Sequence, residues 1–224
     1  MYRLHAREGA GHDTTVSPCL GPLLLDGRIQ TRCRGEVGGD PDRPTLVWLP
    51  TWAHECSVPA FADTIAGLRD EGNVAVKVHP LTAAEEPDRM ARLAELGLKP
   101  VGAVDFDNVD LFDAADLVAV DYGGSPFGAI FTDRDIVLLN TPEPSGEPFA
   151  LSPNGSLDRR LREWFLNIDP GQGQSIRDFL RDGAARERQR TTRELLRRTL
   201  FAPFDGCAAE VAASVLRSVE SICR

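Results

Sequence analysis

The sequence predicts an α/β fold built on a parallel sheet with helices on both faces, and three observations predict it. Apolar runs of strand length alternate with segments of helical periodicity between Thr45 and Asn140. These runs are apolar almost continuously, as strands buried on both faces must be, rather than at every second position. Their C-terminal ends collect the polar residues and glycines, and an open α/β sheet binds ligands at that edge.

Residues 1–44 are rich in Gly, Arg, Asp and Pro and show little periodicity outside GPLLLDGRIQ. They read as an N-terminal extension with one short strand or turn, and residues 45–224 as the domain proper. TLVWLP is the first strand. SVPAFADTIAGLRDEG follows as a helix with Ser57 as its cap, Phe61, Ile65 and Leu68 on one face, and Gly72 as its end. VAVKVHP is the next strand and stops at Pro80. EPDRMARLAELG has Pro87 in its first turn, Met90, Leu93 and Leu96 on one face, and Gly97 as its stop. The alternation continues through VGAVDF, a short helix at NVDLFDAA, then DLVAVD, FGAIFTD and DIVLLN. A Pro/Gly-rich stretch runs from Pro142 to about Gly155, and the remainder reads as helical. In it SLDRRLREWFLNI aligns Leu157, Leu161, Trp164, Phe165 and Ile168, and CAAEVAASVLRSVESIC aligns Val211, Val215, Val219 and Ile222.

Composition narrows the function classes. With 42% hydrophobic and 26% charged residues, the 224-residue chain is that of an ordinary globular protein. A formal charge of -9 argues against nucleic acid as a partner, because no cationic excess meets the phosphates. Lysine occurs only at Lys77 and Lys99; the arginine bias reads as codon usage before function. Cys19, Cys33, Cys56, Cys207 and Cys223 have no C-x-x-C spacing and read as reduced thiols. The N-terminus MYRLHAREGAGHD has no apolar core of a signal peptide, and no run approaches the ~18 apolar residues of a membrane span. The expected location is cytoplasmic, with peripheral contact to the inner face of a membrane as the outer limit.

Five strand ends carry the candidate chemistry: Pro50–Trp52, Lys77–Pro80, Asp105–Asn108, Asp121–Gly128 and Asn140–Pro144. Gly123 and Gly124 let a ligand approach the backbone, and Ser125 is placed to cap a helix beginning near Pro126. Such a turn suits a phosphate, or is simply a strand–turn–helix connection. No Gly-Lys-Ser/Thr of a phosphate-binding loop is present. Lys77 and His79 share one side of their strand by the two-residue period, and two cationic groups there favour an anion. Asp105 and Asp107 have the spacing of a D-x-D metal motif, but Asp107 or Asn108 as a helix cap is preferred. His54 and Cys56 are not spaced for a shared metal, and no metal or cofactor is expected. The arginine-rich ARERQRTTRELLRR, with Glu187 and Glu194, reads as a solvated helix face, and after that as a surface for an anionic polymer or membrane.

Taken in order, LVWLPTW, VAVKVHP, LFDAADLVAVDYGGSPFGAIF and DIVLLN resemble the donor half of the CDP-glycerol glycerophosphotransferases of teichoic-acid synthesis. GPLLLDG and FDGCAAEVAASVL are similar to that family's opening and closing segments, so the likeness spans about Gly21 to Val219. The resemblance implies a Rossmann-like three-layer parallel sheet like the C-terminal half of a GT-B glycosyltransferase. It also implies transfer of glycerol phosphate from a CDP-glycerol-type donor to a cell-envelope polymer. By the resemblance His79 holds the donor diphosphate as the catalytic residue, and Thr51, Lys77, Asp121, Gly123, Gly124 and Ser125 line the donor site. The base is expected from an N-terminal acceptor domain with no match in this chain, which implies a partner subunit or a homodimer. The family's DYSS is DYGGS here, Ala53 stands where an arginine often follows PTW, and GPLLLD lacks the family's arginine. These departures leave open a non-catalytic nucleotide-binding or regulatory module, and a glycosyltransferase or epimerase-like enzyme using a UDP-sugar.

Overall fold

The computed structural model describes residues 39–101, 108–141 and 156–201, the backbone of two short strands nearer the N-terminus, and the isolated positions 213 and 217. Those two strands, β1 (Tyr2–Leu4) and β2 (Thr14–Val16), pair antiparallel. The main elements then follow as β3 (Thr45–Leu49), α1 (Val58–Ala66), β4 (Asn73–Val76), α2 (Pro80–Glu85) and α3 (Pro87–Glu95). Next come α4 (Asn108–Ala114), β5 (Leu117–Val120), α5 (Ser125–Phe131), β6 (Asp135–Leu139) and α6 (Leu157–Arg160). The last described elements are β7 (Leu166–Ile168), α7 (Gly173–Arg181) and α8 (Gly183–Phe201).

Strands β3 to β7 form one five-stranded sheet, all parallel, in the order β4-β3-β5-β6-β7. Winding runs outward in both directions from β3, so the topological switch point lies between β3 and β5. Successive side chains go to opposite faces, and each face is sealed by helices. On one side Leu46, Trp48, Val76, Ala119 and Val137 meet Phe61 and Ile65 of α1, Leu93 of α3 and Ile176 of α7. On the other, Val47, Leu49, Val118, Val120 and Ile136 meet Leu111 and Phe112 of α4 and Ile130 of α5. This two-sided burial is why the strands read as continuous apolar runs.

Local signals explain the helix limits. Pro87 sits in the first turn of α3, where its missing N–H costs nothing, and Gly97 just beyond adopts φ +66. Ser57 precedes α1 as expected but does not cap it with its side chain. Its hydroxyl accepts instead from the Trp48 indole N–H at 3.0 Å, within the buried core. The burial of a tryptophan needing a polar partner outweighs the cap.

One reading of the C-terminal portion is corrected. SLDRRLREWFLNI is not one helix: α6 ends at Arg160, a 3-10 turn covers Leu161–Glu163, and Leu166–Ile168 becomes β7. The open edge of β6 supplies ladder partners at Val137, Leu138 and Leu139, which a helix in this place would leave unpaired. Leu161, Phe165 and Ile168 are still buried, whereas Leu157 and Trp164 remain about two-fifths exposed. The strand expected at VGAVDF falls mainly on residues 102–107, outside the described residues, although Pro100 bridges to Val76 beside β4. GPLLLDGRIQ, the Asp105–Asp107 segment, and nearly all of CAAEVAASVLRSVESIC also lie outside the described residues.

The arginine-rich helix α8 is solvated on one side only. Gln189 and Arg193 are buried on the other. The Gln189 amide accepts from the Ile136 N–H at 2.7 Å and donates to the Ile136 carbonyl at 2.8 Å. Arg193 pairs with Asp135 at 2.7 Å and Asp133 at 2.9 Å, and Arg186 takes the second oxygen of Asp135. Replacing Arg193 with Met is expected to cost about 2 kcal/mol in urea unfolding, less than for an isolated buried pair, because Asp135 keeps Arg186. An unchanged midpoint would show that α8 docks by its apolar contacts alone. Among the described residues, no helix is long and apolar enough to cross a membrane.

Candidate functional site

The site begins with one carboxylate at the switch point. Asp121 follows β5 directly and has no exposed surface. Its Oδ1 accepts from the Thr51 N–H at 2.9 Å and the Tyr122 N–H at 2.8 Å. Its Oδ2 accepts from the Thr51 N–H at 3.0 Å and the Ser57 N–H at 2.9 Å. Asp121 therefore ties the loop after β3 to the end of β5. Burial pushes its acid up to about 6, against the pull of hydrogen bonds from Ser57, Tyr122 and Thr51.

The β3 loop then turns sharply. Ala53 adopts φ +58, a left-handed conformation that is strained for a residue with a Cβ. It is held there by the start of α3: its N–H donates to Oε1 of Glu86, the N-cap, at 3.2 Å, and its carbonyl accepts from Arg89 Nη2 at 2.7 Å. The turn leaves Trp52 43% exposed and stacked on the His79 ring, with centroids 5.7 Å apart and planes 18° from parallel.

His79 is the N-cap of α2, and its Nδ1 accepts from the Leu81 N–H at 3.2 Å. An Nδ1 that accepts leaves the proton of a neutral ring on Nε2. Partial burial lowers the imidazole pKa, with Glu86 opposing, so the neutral Nε2–H donor prevails at neutral pH. Lys77 continues β4 through its N–H to the Trp48 carbonyl at 3.0 Å. Val78 is buried while Lys77 and His79 are partly exposed, the alternation of two residues sharing one side.

Beyond Asp121, the Tyr122 ring carries two guanidinium groups, Arg159 at 4.9 Å and Arg162 at 4.1 Å from its centroid. Arg162 also donates to the carbonyls of Asp121 and Leu139, each at 3.0 Å. Gly123 adopts φ +86, which its missing side chain allows, and a Cβ at either Gly123 or Gly124 would meet nothing within 4 Å. Both glycines thus border open space. The helix starts one residue earlier than the sequence suggests: Gly124 is the cap of α5 and Ser125 its first residue.

All seven sequence-expected residues stand along the C-terminal edge of the sheet. Thr51 and Asp121 are in direct contact, and His79 joins them through Trp52. Trp52, Glu86, Asp158, Arg159 and Arg162 were not singled out from the sequence. The spacing of Arg159 and Arg162, one turn apart, was a usable signal. Asp158, whose Oδ2 accepts from the Gly123 N–H at 2.9 Å, had none, because that contact joins residues distant in the chain. Cys56 is buried with its thiol pushed up to about 11 by that burial, which makes it inert beside exposed His54. Among the described residues no group of three or more His, Cys, Asp or Glu is placed to hold a metal.

A parallel five-stranded sheet, helices on both faces and polar residues gathered at the switch-point edge define the class: a Rossmann-like α/β domain, similar in fold to one half of a GT-B structure. Particular solved structures bear this out. The wall teichoic acid polymerase TagF, soaked with CDPG, is similar at a TM-score of 0.60, with 12% identity over 90% of this chain and 49% of that one. HepE from Anabaena, in complex with UDP and glucose, gives 0.54, with 13% identity over 85% of this chain and 53% of its own. WaaG, a glycosyltransferase of lipopolysaccharide biosynthesis, gives 0.52, with 15% identity over 84% and 50%. At such identities the likeness is one of fold, and the chain spans about half the length of these proteins. No protein-family model and no curated protein matches the chain.

Proposed function

We propose that this chain holds the diphosphate of a nucleotide-diphospho donor of the CDP-glycerol type, in service of glycerol phosphate transfer to a cell-envelope polymer. One observation carries the reading: His79 is fixed by its helix cap and by Trp52 as an Nε2–H donor, on the same sheet edge as the open Gly123–Gly124 turn. A neutral N–H donor and a turn without side chains suit phosphate oxygens. In the transfer an acceptor hydroxyl oxygen bonds to the β-phosphorus of the donor as the bond to the bridging oxygen breaks, and CMP leaves. The hydroxyl proton passes to a general base. His79 offsets negative charge gathering on the phosphate oxygens, and Lys77 adds a cation on the same side. Asp121 serves by position, holding Thr51 and Tyr122 in place.

A thermal-shift panel tests the donor class. CDP-glycerol and CDP are expected to raise the melting temperature, CMP less so and cytidine not at all. A rise with UDP-sugars and none with cytidine compounds would replace this reading by a sugar-nucleotide one. Stabilisation by none of them would leave the fold without a nucleotide ligand.

A further inference from the structure

The turn at Gly123 already carries an anion. Asp158, in α6, places Oδ2 at 2.9 Å from the Gly123 N–H, on an exposed stretch of backbone with open space beside it. Its surroundings are cationic: Arg162 feels the Asp158 charge, and both Arg162 and Arg159 stack on the same tyrosine ring, at 4.1 and 4.9 Å. Arg159 is paired with Glu55 at 2.8 Å, while Arg162 spends its donors on the Asn140 side chain and on carbonyls. Asp158 therefore holds the Gly123 N–H of the turn and adds negative charge beside Arg162.

We infer that Asp158 is an internal competitor for the anion site, occupying the Gly123 N–H until a diphosphate displaces it. The inference rests on the anion-site reading above and adds how that site is regulated. Leu161 and Phe165 root the segment in the core, so the carboxylate leaves by rotating its half-buried side chain while the helix stays in place. A ligand must then exceed a carboxylate in charge or in number of acceptors to win the N–H. Diphosphates do so and neutral nucleosides do not, so the contact makes the site selective for the more highly charged ligand.

The test compares the full chain with its Asp158→Ala and Asp158→Asn variants by calorimetry against CDP, cytidine and inorganic pyrophosphate, with the Gly123 amide followed by NMR. Asp158→Ala is expected to bind CDP and pyrophosphate about tenfold more tightly, the worth of one charge-assisted hydrogen bond. Asp158→Asn is expected to fall between, because its amide oxygen still accepts but carries no charge. Cytidine should be unaffected, and the Gly123 amide should shift on diphosphate binding. Equal CDP affinity in all three chains would overturn the competitor role and leave the donor site standing. Tighter pyrophosphate without CDP binding would keep the competitor and remove the nucleotide. Binding of neither anion by any chain would overturn both. Weaker binding by Asp158→Ala would make the carboxylate a support of the turn rather than a rival.

Discussion

Replacing Asp121 with Ala is expected to lower stability by about 3 kcal/mol at pH 7. The change strands three backbone N–H groups, from Thr51, Ser57 and Tyr122, around a carboxylate with no exposed surface. An unsatisfied buried donor costs about 1–3 kcal/mol, and relief of a buried charge returns part of the total. Asp121→Asn keeps one acceptor but turns an NH2 toward donors, so it should lose nearly as much. The same carboxylate sets a pH dependence. Its folded-state pKa, about 6, lies above the ordinary carboxylate value, so the native state holds the proton longer than the unfolded chain. That contribution is complete below about pH 4 and is lost as pH rises through about 6, by no more than about 3 kcal/mol. His79 works in the opposite sense: burial lowers its pKa, so the neutral cap survives the ordinary histidine range and its contribution is lost as pH falls from that range to the lower folded value. Urea unfolding of wild type and Asp121→Ala from pH 4 to 7 measures both effects. A variant that keeps wild-type stability would mean that water replaces the carboxylate and that the β3 and β5 ends are not welded by it.

His79→Ala is expected to weaken CDP binding by about ten- to a hundredfold, the range for one hydrogen bond to a charged group. It also removes the cap of α2 and the ring under Trp52, so the alanine variant alone mixes binding with folding. His79→Asn separates them. Asparagine is a strong N-cap and can accept from Leu81 as the imidazole does, but it has no donor at the Nε2 position. Stability close to wild type with affinity lost is the expected result, read by calorimetry with CDP. If His79→Asn binds CDP as wild type does, the imidazole is a structural cap and the diphosphate is held elsewhere.

Much of this molecule was legible before any coordinate. Each of the strands from Thr45 to Leu139 that the structure describes was visible as an apolar run, because burial on both faces removes the polar positions that would blur the pattern. Pro87 and Gly97 bracket α3 as their backbone preferences require. The misread elements share a cause. Leu166–Ile168 has helical spacing with Leu161, but an open strand edge lay within reach, and only the fold supplies that edge. Ser57 looked like a cap, yet Trp48 and Asp121 claimed its hydroxyl and its N–H. Arg193 looked like one more solvated arginine until Asp133 and Asp135, 60 and 58 residues earlier, came beneath it.

By itself, then, the sequence determined which segments are buried, in what order they come, and that polar residues cluster at the strand ends, since these follow from local periodicity and from the backbone limits of glycine and proline. The tertiary structure alone decided what each polar group does there. Whether the carboxylate of Asp121 faces a ligand or three amides, which nitrogen of His79 carries the proton, and that Asp158 reaches Gly123 all depend on atoms distant in the chain. A hydrogen bond acts only across about 3 Å and in one direction, so its partner is fixed by folding and not by neighbours in sequence.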